Sequence, residues 1–146
     1  MSSGRPYDPD RMIKRVIDSP HNMHLGLTVI ERRRNEALVR MPIRHDFVGD
    51  PSNGLLHGGP LTVLLDATFV VATYLAIDRP MPIATVDLRV DYLKPVGGGE
   101  AFYALCRCER VTRHIAFLRG QVYVDAPDQT VALATSSYML DTRESK

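Results

Sequence analysis

Apolar and polar positions change period along the chain, and each change marks an element. Asp8-Pro9 supplies a cap followed by a residue preset for a first helical turn, and Met12, Ile13, Val16 and Ile17 then recur on one helical face. With Pro20 stopping the run, this predicts a short amphipathic helix. Leu25–Glu31 and Ala37–Ile43 read as strands on either side of the polar Arg32–Glu36 stretch, which predicts an antiparallel hairpin. Between Gly58 and Ile77 the only ionisable acid or base is Asp66; everything else is apolar, Gly, Pro, Thr or Tyr. A segment of that length, apolar all round, predicts a buried helix. The same length would suit a membrane span, but Gly58-Gly59-Pro60, the central Asp66 and the threonines make insertion costly, and a helix wrapped by a sheet accounts for the pattern better.

Beyond Pro80 the period becomes two. Val86, Leu88, Val90 and Tyr92 alternate with Thr85, Asp87, Arg89 and Asp91, the pattern of a half-buried strand. Pro95 and Gly97-Gly98-Gly99 break the chain, and Ala101–Arg110, Ile115–Asp125 and Thr130–Leu140 follow between short polar turns, so a meander of four antiparallel strands is expected. The sum is an α+β domain, one antiparallel sheet curled around one long helix.

Composition narrows the function. At 146 residues the chain fits one domain that can bury a core without metal or disulfide support; we divide it into an N-terminal extension with a short helix over 1–20 and the main domain over 21–141. Formal net charge is +1, with both signs interspersed, which argues against a nucleic-acid partner. Arg32-Arg33-Arg34 reads as a solvated turn, with attraction of an anionic ligand as the alternative. Cys106 and Cys108 share one strand face and are too close in sequence for an ordinary disulfide, so reduced, core-facing thiols are expected. Met1–Asp8 has no apolar run resembling a secretory signal, and a cytoplasmic location is the expectation.

Candidate chemistry gathers at the long helix. Asn53-Gly-Leu-Leu-His57-Gly58-Gly59-Pro60 opens it, and helix N-termini leave backbone N–H groups unpaired with partial positive charge. A substrate carbonyl turning into an oxyanion would be stabilised there, with the Gly58 N–H as the donor; the plainer reading is that Gly58 and Gly59 only permit a tight turn or close packing. Asp66, flanked by Leu64, Leu65, Ala67 and Phe69, is expensive to keep ionised without partners. It is either a structural ion pair or cap, or the catalytic carboxylate. Eight residues separate it from Gly58, ~12 Å of helical rise, so one copy of Asp66 cannot serve a carbonyl held by Gly58 of the same helix. Two such helices packed antiparallel in a dimer would give two equivalent composite sites.

His57-Gly58-Gly59 followed by Asp66, and then Thr85-Val-Asp-Leu-Arg-Val-Asp-Tyr-Leu-Lys-Pro95, resembles the hotdog-fold thioesterases of the phenylacetate-pathway and 4-hydroxybenzoyl-CoA type, over about Leu25 to Leu140. The resemblance implies a sheet wrapped around the central helix, pairing into dimers and often tetramers, and an acyl-CoA substrate with no cofactor beyond the CoA it carries. It implies that Gly58 polarises the thioester carbonyl and that Asp66 of the neighbouring subunit is general base or nucleophile. Thr85 stands where similar enzymes carry a Ser or Thr that holds the attacking water, though an ordinary strand threonine reads the same way. Those enzymes often have an Asn six residues before the His; here that position is Pro51, and Asn53 is the nearest substitute. His57 and Gly59 are read as site-lining. Arg110, Arg113 and His114, at a turn between strands, are the candidates for the CoA phosphates, with a solvated turn as the alternative. No metal-ligand spacing and no Gly-x-Ser-x-Gly elbow is present. The expected function is acyl-CoA hydrolysis; the rival is a non-catalytic acyl-CoA binding module, and a hotdog dehydratase is more distant because its His and acid arrangement is missing.

Overall fold

The computed structural model describes residues 6–143; Met1–Arg5, the start of the N-terminal stretch read above as signal-free, and Glu144–Lys146 lie outside the described residues. Asp8 accepts the Asp10 N–H at 2.9 Å and caps helix α1 (Pro9–Ile17), whose buried face centres on Ile13. Pro20 does more than stop it. Behind the N-cap Ser19 it opens a second helix, α2 (Pro20–Leu25), which closes at Gly26 with φ 74°. A proline at the first helical position gives up an N–H that has no partner there anyway, and its fixed φ suits the helix. The first strand therefore begins later than the apolar pattern alone suggests, and Leu25 is helical.

The hairpin follows as β1 (Thr28–Arg33) and β2 (Glu36–Pro42), turning at Arg34-Asn35 with Asn35 at φ 67°. Arg32 belongs to β1 and reaches back to an exposed ion pair with Asp10. A two-stranded ribbon, β3 (Val48–Asp50) and β4 (Leu55–Leu56), leads into α3 (Gly59–Ala76). The remaining strands are β5 (Ile83–Tyr92), β6 (Ala101–Val111), β7 (Ile115–Val124) and β8 (Thr130–Leu140).

The main sheet runs β1-β2-β6-β7-β8-β5, every pairing antiparallel. This corrects the four-strand meander. Only β6, β7 and β8 follow one another side by side; β5 crosses to the far side of β8 and becomes an edge. The other three have short turns that can join neighbours, whereas the long Pro- and Gly-rich link after Tyr92 lets β5 and β6 lie apart.

The sheet curls around α3, as the apolar run demands. Leu64, Leu65, Phe69, Val71 and Ala72 are sealed from solvent, and side chains such as Phe102, Val122, Val39 and Met41 meet them from the sheet. Each large apolar side chain so buried contributes about 1.5–3 kcal/mol. Gly120 marks the closest approach: a Cβ there would lie 2.6 Å from the Cys106 sulfur and 3.1 Å from Phe69. Both cysteines are free and buried, and burial pushes each thiol above its ordinary range. By length and composition α3 could cross a membrane, but here it is the helix at the core. It is not buried all round. Thr62, Val63, Asp66 and Val70, at helical spacings of three and four, are only half-buried and form a stripe beside the β5 edge.

Candidate active site

Two clusters lie along α3, about two turns apart. The first surrounds Asp66. Its Oδ1 accepts the Thr85 hydroxyl at 3.0 Å and the Tyr138 phenol at 2.6 Å, and the same phenol lies 3.0 Å from the Asp66 main-chain oxygen. Among the described residues no hydrogen bond reaches Oδ2. Thr85 and Tyr138 are cross-strand partners on β5 and β8, both facing the helix. Tyr138 is 1% exposed, and burial first, then the Asp66 carboxylate it donates to, pushes its phenol far above the ordinary range for tyrosine.

Thr85 reaches this position because β5 is irregular. Strict alternation would place Thr85 with Asp87 and Arg89 on the outer face and Val86 inside. Instead the register slips between Thr85 and Asp87, so that Thr85 pairs with Tyr138 while Asp87 pairs with the next residue, Ser137. Val86 is the extra residue of a β-bulge and is 56% exposed, and Thr85 turns to the inner face with Leu88, Val90 and Tyr92. Asp87 on the outer face fixes the bulge by accepting the Ser137 N–H at 2.8 Å and its hydroxyl at 2.5 Å.

The second cluster is the N-terminus of α3. Gly58 is the N-cap, in ordinary right-handed backbone. A Cβ here would sit 2.8 Å from the ring of Tyr92, so any larger residue requires that ring to shift. The Tyr92 hydroxyl donates to the Gly58 carbonyl at 3.2 Å and lies 3.0 Å from the Thr62 hydroxyl. His57 serves as the missing cap: its Nδ1 accepts the Gly59 N–H at 2.8 Å, which in the neutral ring leaves the proton on Nε2. Among the described residues the Gly58 N–H meets no acceptor. A groove of about 660 Å³ opens here between Leu56–Leu61 and Tyr92–Val96, with Leu56, Leu61, Leu93, Pro95 and Val96 as its apolar wall and Lys94 at its edge.

The other predicted residues fall as follows. Asn53 lies in the β3–β4 turn, where its side-chain oxygen accepts the Leu55 N–H at 3.0 Å; it does not line the groove. Arg110 is the penultimate residue of β6, and Arg113 and His114 follow in the β6–β7 turn, all exposed. They sit at the end of the sheet where Ala116, Tyr138 and Thr85 lie side by side, opposite the Tyr92 end where Gly58 sits. Within one chain they therefore neighbour the Asp66 cluster and not the groove. Sequence reasoning missed Tyr138 and the packing role of Tyr92. The signal for Tyr138 was its place after Ala132, Ala134 and Ser136, small residues at inner positions that make room for a helix, with a buried tyrosine whose hydroxyl needs a partner.

A curled antiparallel sheet around one long central helix defines a hotdog fold. Residues 53–131, more than half the chain, match the Thioesterase superfamily, and the chain belongs to it. It is a thioester hydrolase of the type typified by the phenylacetic acid degradation protein PaaI. Among curated relatives, the medium/long-chain acyl-CoA thioesterase YigI of Salmonella typhimurium is 30% identical over 141 residues, covering 86% of this chain and 88% of the relative. Among solved structures, a single-residue mutant of PaaI from Thermus thermophilus is 30% identical, with a TM-score of 0.71 over 83% of this chain and 98% of that one. A protein of Pseudomonas aeruginosa, also 30% identical, reaches a TM-score of 0.76 over 90% and 98%.

Proposed function

We propose that the protein hydrolyses acyl-CoA thioesters at sites shared between two copies of the chain, the Gly58 N–H of one binding the carbonyl oxygen and Asp66 of the other driving the attack. The carrying observation is the position of Asp66: the one acid of α3, held by hydroxyls on a half-open stripe of a helix otherwise packed into the core. As general base, Asp66 takes a proton from water while the water oxygen bonds to the carbonyl carbon. The C–S bond then breaks, and CoA leaves as the thiol once that proton is returned. As nucleophile, its oxygen would bond to the carbonyl carbon as the C–S bond breaks and CoA leaves as a thiolate that takes up a proton, and water would then open the resulting anhydride to the free acid and the Asp66 carboxylate. Each well-placed donor at the oxyanion is worth roughly 3 kcal/mol.

Three features support sharing. Gly58 and Asp66 are about 12 Å apart along their helix. β5 is an edge strand of ten residues whose outer backbone groups await a partner, and Val86 and Tyr92 on it are exposed. The stripe of Thr62, Val63, Asp66 and Val70 runs beside that edge, so a two-fold axis there would pair strand with strand and helix with helix. In that arrangement Arg110, Arg113 and His114 lie at the Asp66 end and are suited to the CoA phosphates. The apolar groove and the activity named for YigI favour acyl chains of medium or greater length. Membership in an enzyme family weighs against a purely binding role.

The test follows free thiol release from short, long and aromatic acyl-CoAs, with Asp66→Asn alongside. Release from the wild type that falls at least a hundredfold in the variant is expected. Full activity in a folded D66N protein would remove Asp66 from the mechanism, and no release from any thioester would remove the reaction.

A further inference from the structure

We propose that Tyr138 is a positioning residue which, with Thr85, clamps Oδ1 of Asp66 and so makes Oδ2 the oxygen that meets the water or the thioester carbon. This rests on Asp66 being the reacting carboxylate.

An ionised carboxylate has two equivalent oxygens and can exchange them by rotation. Here the equivalence is broken. Two O–H donors from neighbouring strands converge on Oδ1, at 2.6 Å and 3.0 Å, and among the described residues none reaches Oδ2. The phenol also lies 3.0 Å from the main-chain oxygen of the same residue, so one rigid side chain ties the carboxyl group to the helix backbone that carries it. Tyr138 suits the task because it has little freedom. Its ring is packed in the core against the helix, and its hydroxyl, too buried to be served by bulk water, donates to Asp66 beside the Thr85 hydroxyl. With ionisation pushed far above the ordinary tyrosine range, the phenol stays a donor through neutral pH. The bulge at Val86 supplies the second donor by turning Thr85 inward. Thr85 thus holds the acid itself, where the family resemblance suggested that it holds the water.

Tyr138→Phe keeps the ring and removes only the donor. A reacting group misplaced by ~1 Å costs up to a hundredfold in rate, so kcat is expected to fall about ten- to a hundredfold while KM stays within about twofold. A general loosening of the core would show instead as a lower melting temperature without that split. Site-specific 3-fluorotyrosine at 138, which restores the hydroxyl on nearly the same ring, is expected to recover most of the lost turnover. Wild-type kcat in Y138F, or a fluorotyrosine variant no better than Y138F, would overturn the assignment. Should Y138F not fold, Thr85→Val, a change at a solvent-accessible strand position, removes a donor from the same oxygen; unchanged kcat there would also overturn the clamp. D66N measured in parallel separates the two ideas: activity in D66N removes the role of Asp66, whereas inactive D66N beside fully active Y138F removes only that of Tyr138.

Discussion

At Gly58 the requirement for glycine comes from the neighbouring ring and not from its own backbone, since φ is −74° and a Cβ would strike Tyr92 at 2.8 Å. Gly58→Ala should therefore push the Tyr92 ring away and shift the start of α3, lowering kcat/KM at least tenfold; Gly58→Ala/Tyr92→Ala should regain part of the loss if crowding is the cause. A steady-state comparison of the two variants checks this. Two tyrosines make the fold sensitive to alkali. Burial, followed by Tyr74 and Asp8, pushes the Tyr7 phenol up to about 12, and Tyr138 is raised further. Both are neutral in the fold, so their contribution is complete below the ordinary value of 10 and is lost as pH rises through the folded values. Thermal unfolding followed from pH 9 to 12 should show a falling melting temperature, with a shallower fall in Tyr7→Phe. Of the residues at the centre, Asp66 was legible because a lone acid in an apolar run needs a reason. Tyr138 was not, because an inward tyrosine on a strand looks like any core aromatic until the element opposite is known.

Periodicity identified α3, the hairpin and the later strands because each buries a face whose spacing the sequence must respect. It failed where one residue breaks the period. Val86 fits the apolar alternation of β5 so well that the bulge is invisible in sequence, yet it decides which face Thr85 occupies. Deleting Val86 places Asp87 directly after Thr85, opposite Ser137 and Tyr138 respectively, so strict alternation then keeps Thr85 on the inner face beside Asp66. Turnover should then stay well above that of Thr85→Val, with sheet content by circular dichroism preserved; loss of activity in a folded deletion variant would mean that the bulge itself, and not only an inward hydroxyl, is needed. Pro20 was read only as the stop it is, because a proline that ends one helix can also begin another with the same fixed φ. The position of β5 could not be read either, because sequence spacing does not say which neighbour a strand chooses after a long link.

For the molecule as a whole, the distance between Gly58 and Asp66 predicts a specific stoichiometry. If each site takes Gly58 from one chain and Asp66 from the other, Gly58→Ala and Asp66→Asn chains are each inactive as homodimers, but a mixed dimer has one site with both defects and one with neither. Random assortment makes half the dimers mixed, so equal co-expression should restore about a quarter of wild-type activity. Activity no higher than the sum of the separate variants would place both groups in one chain. The strand order also bears on how the protein comes to exist at all. Among the described residues β5 hydrogen-bonds within the chain only to β8, the latest of the described strands to be made. During synthesis it must wait for the whole β6–β8 meander, a delay of seconds at roughly 5–20 residues per second. Until then Val86, Tyr92 and Leu93 belong to a segment with no sheet to join, and the Asp66 carboxylate has neither of its two hydroxyl partners in place. On the role proposed for Asp66, thioester cleavage then waits for Tyr138 to be made and placed, and a chain truncated before Tyr138 is expected to carry both an orphaned edge and an unheld acid.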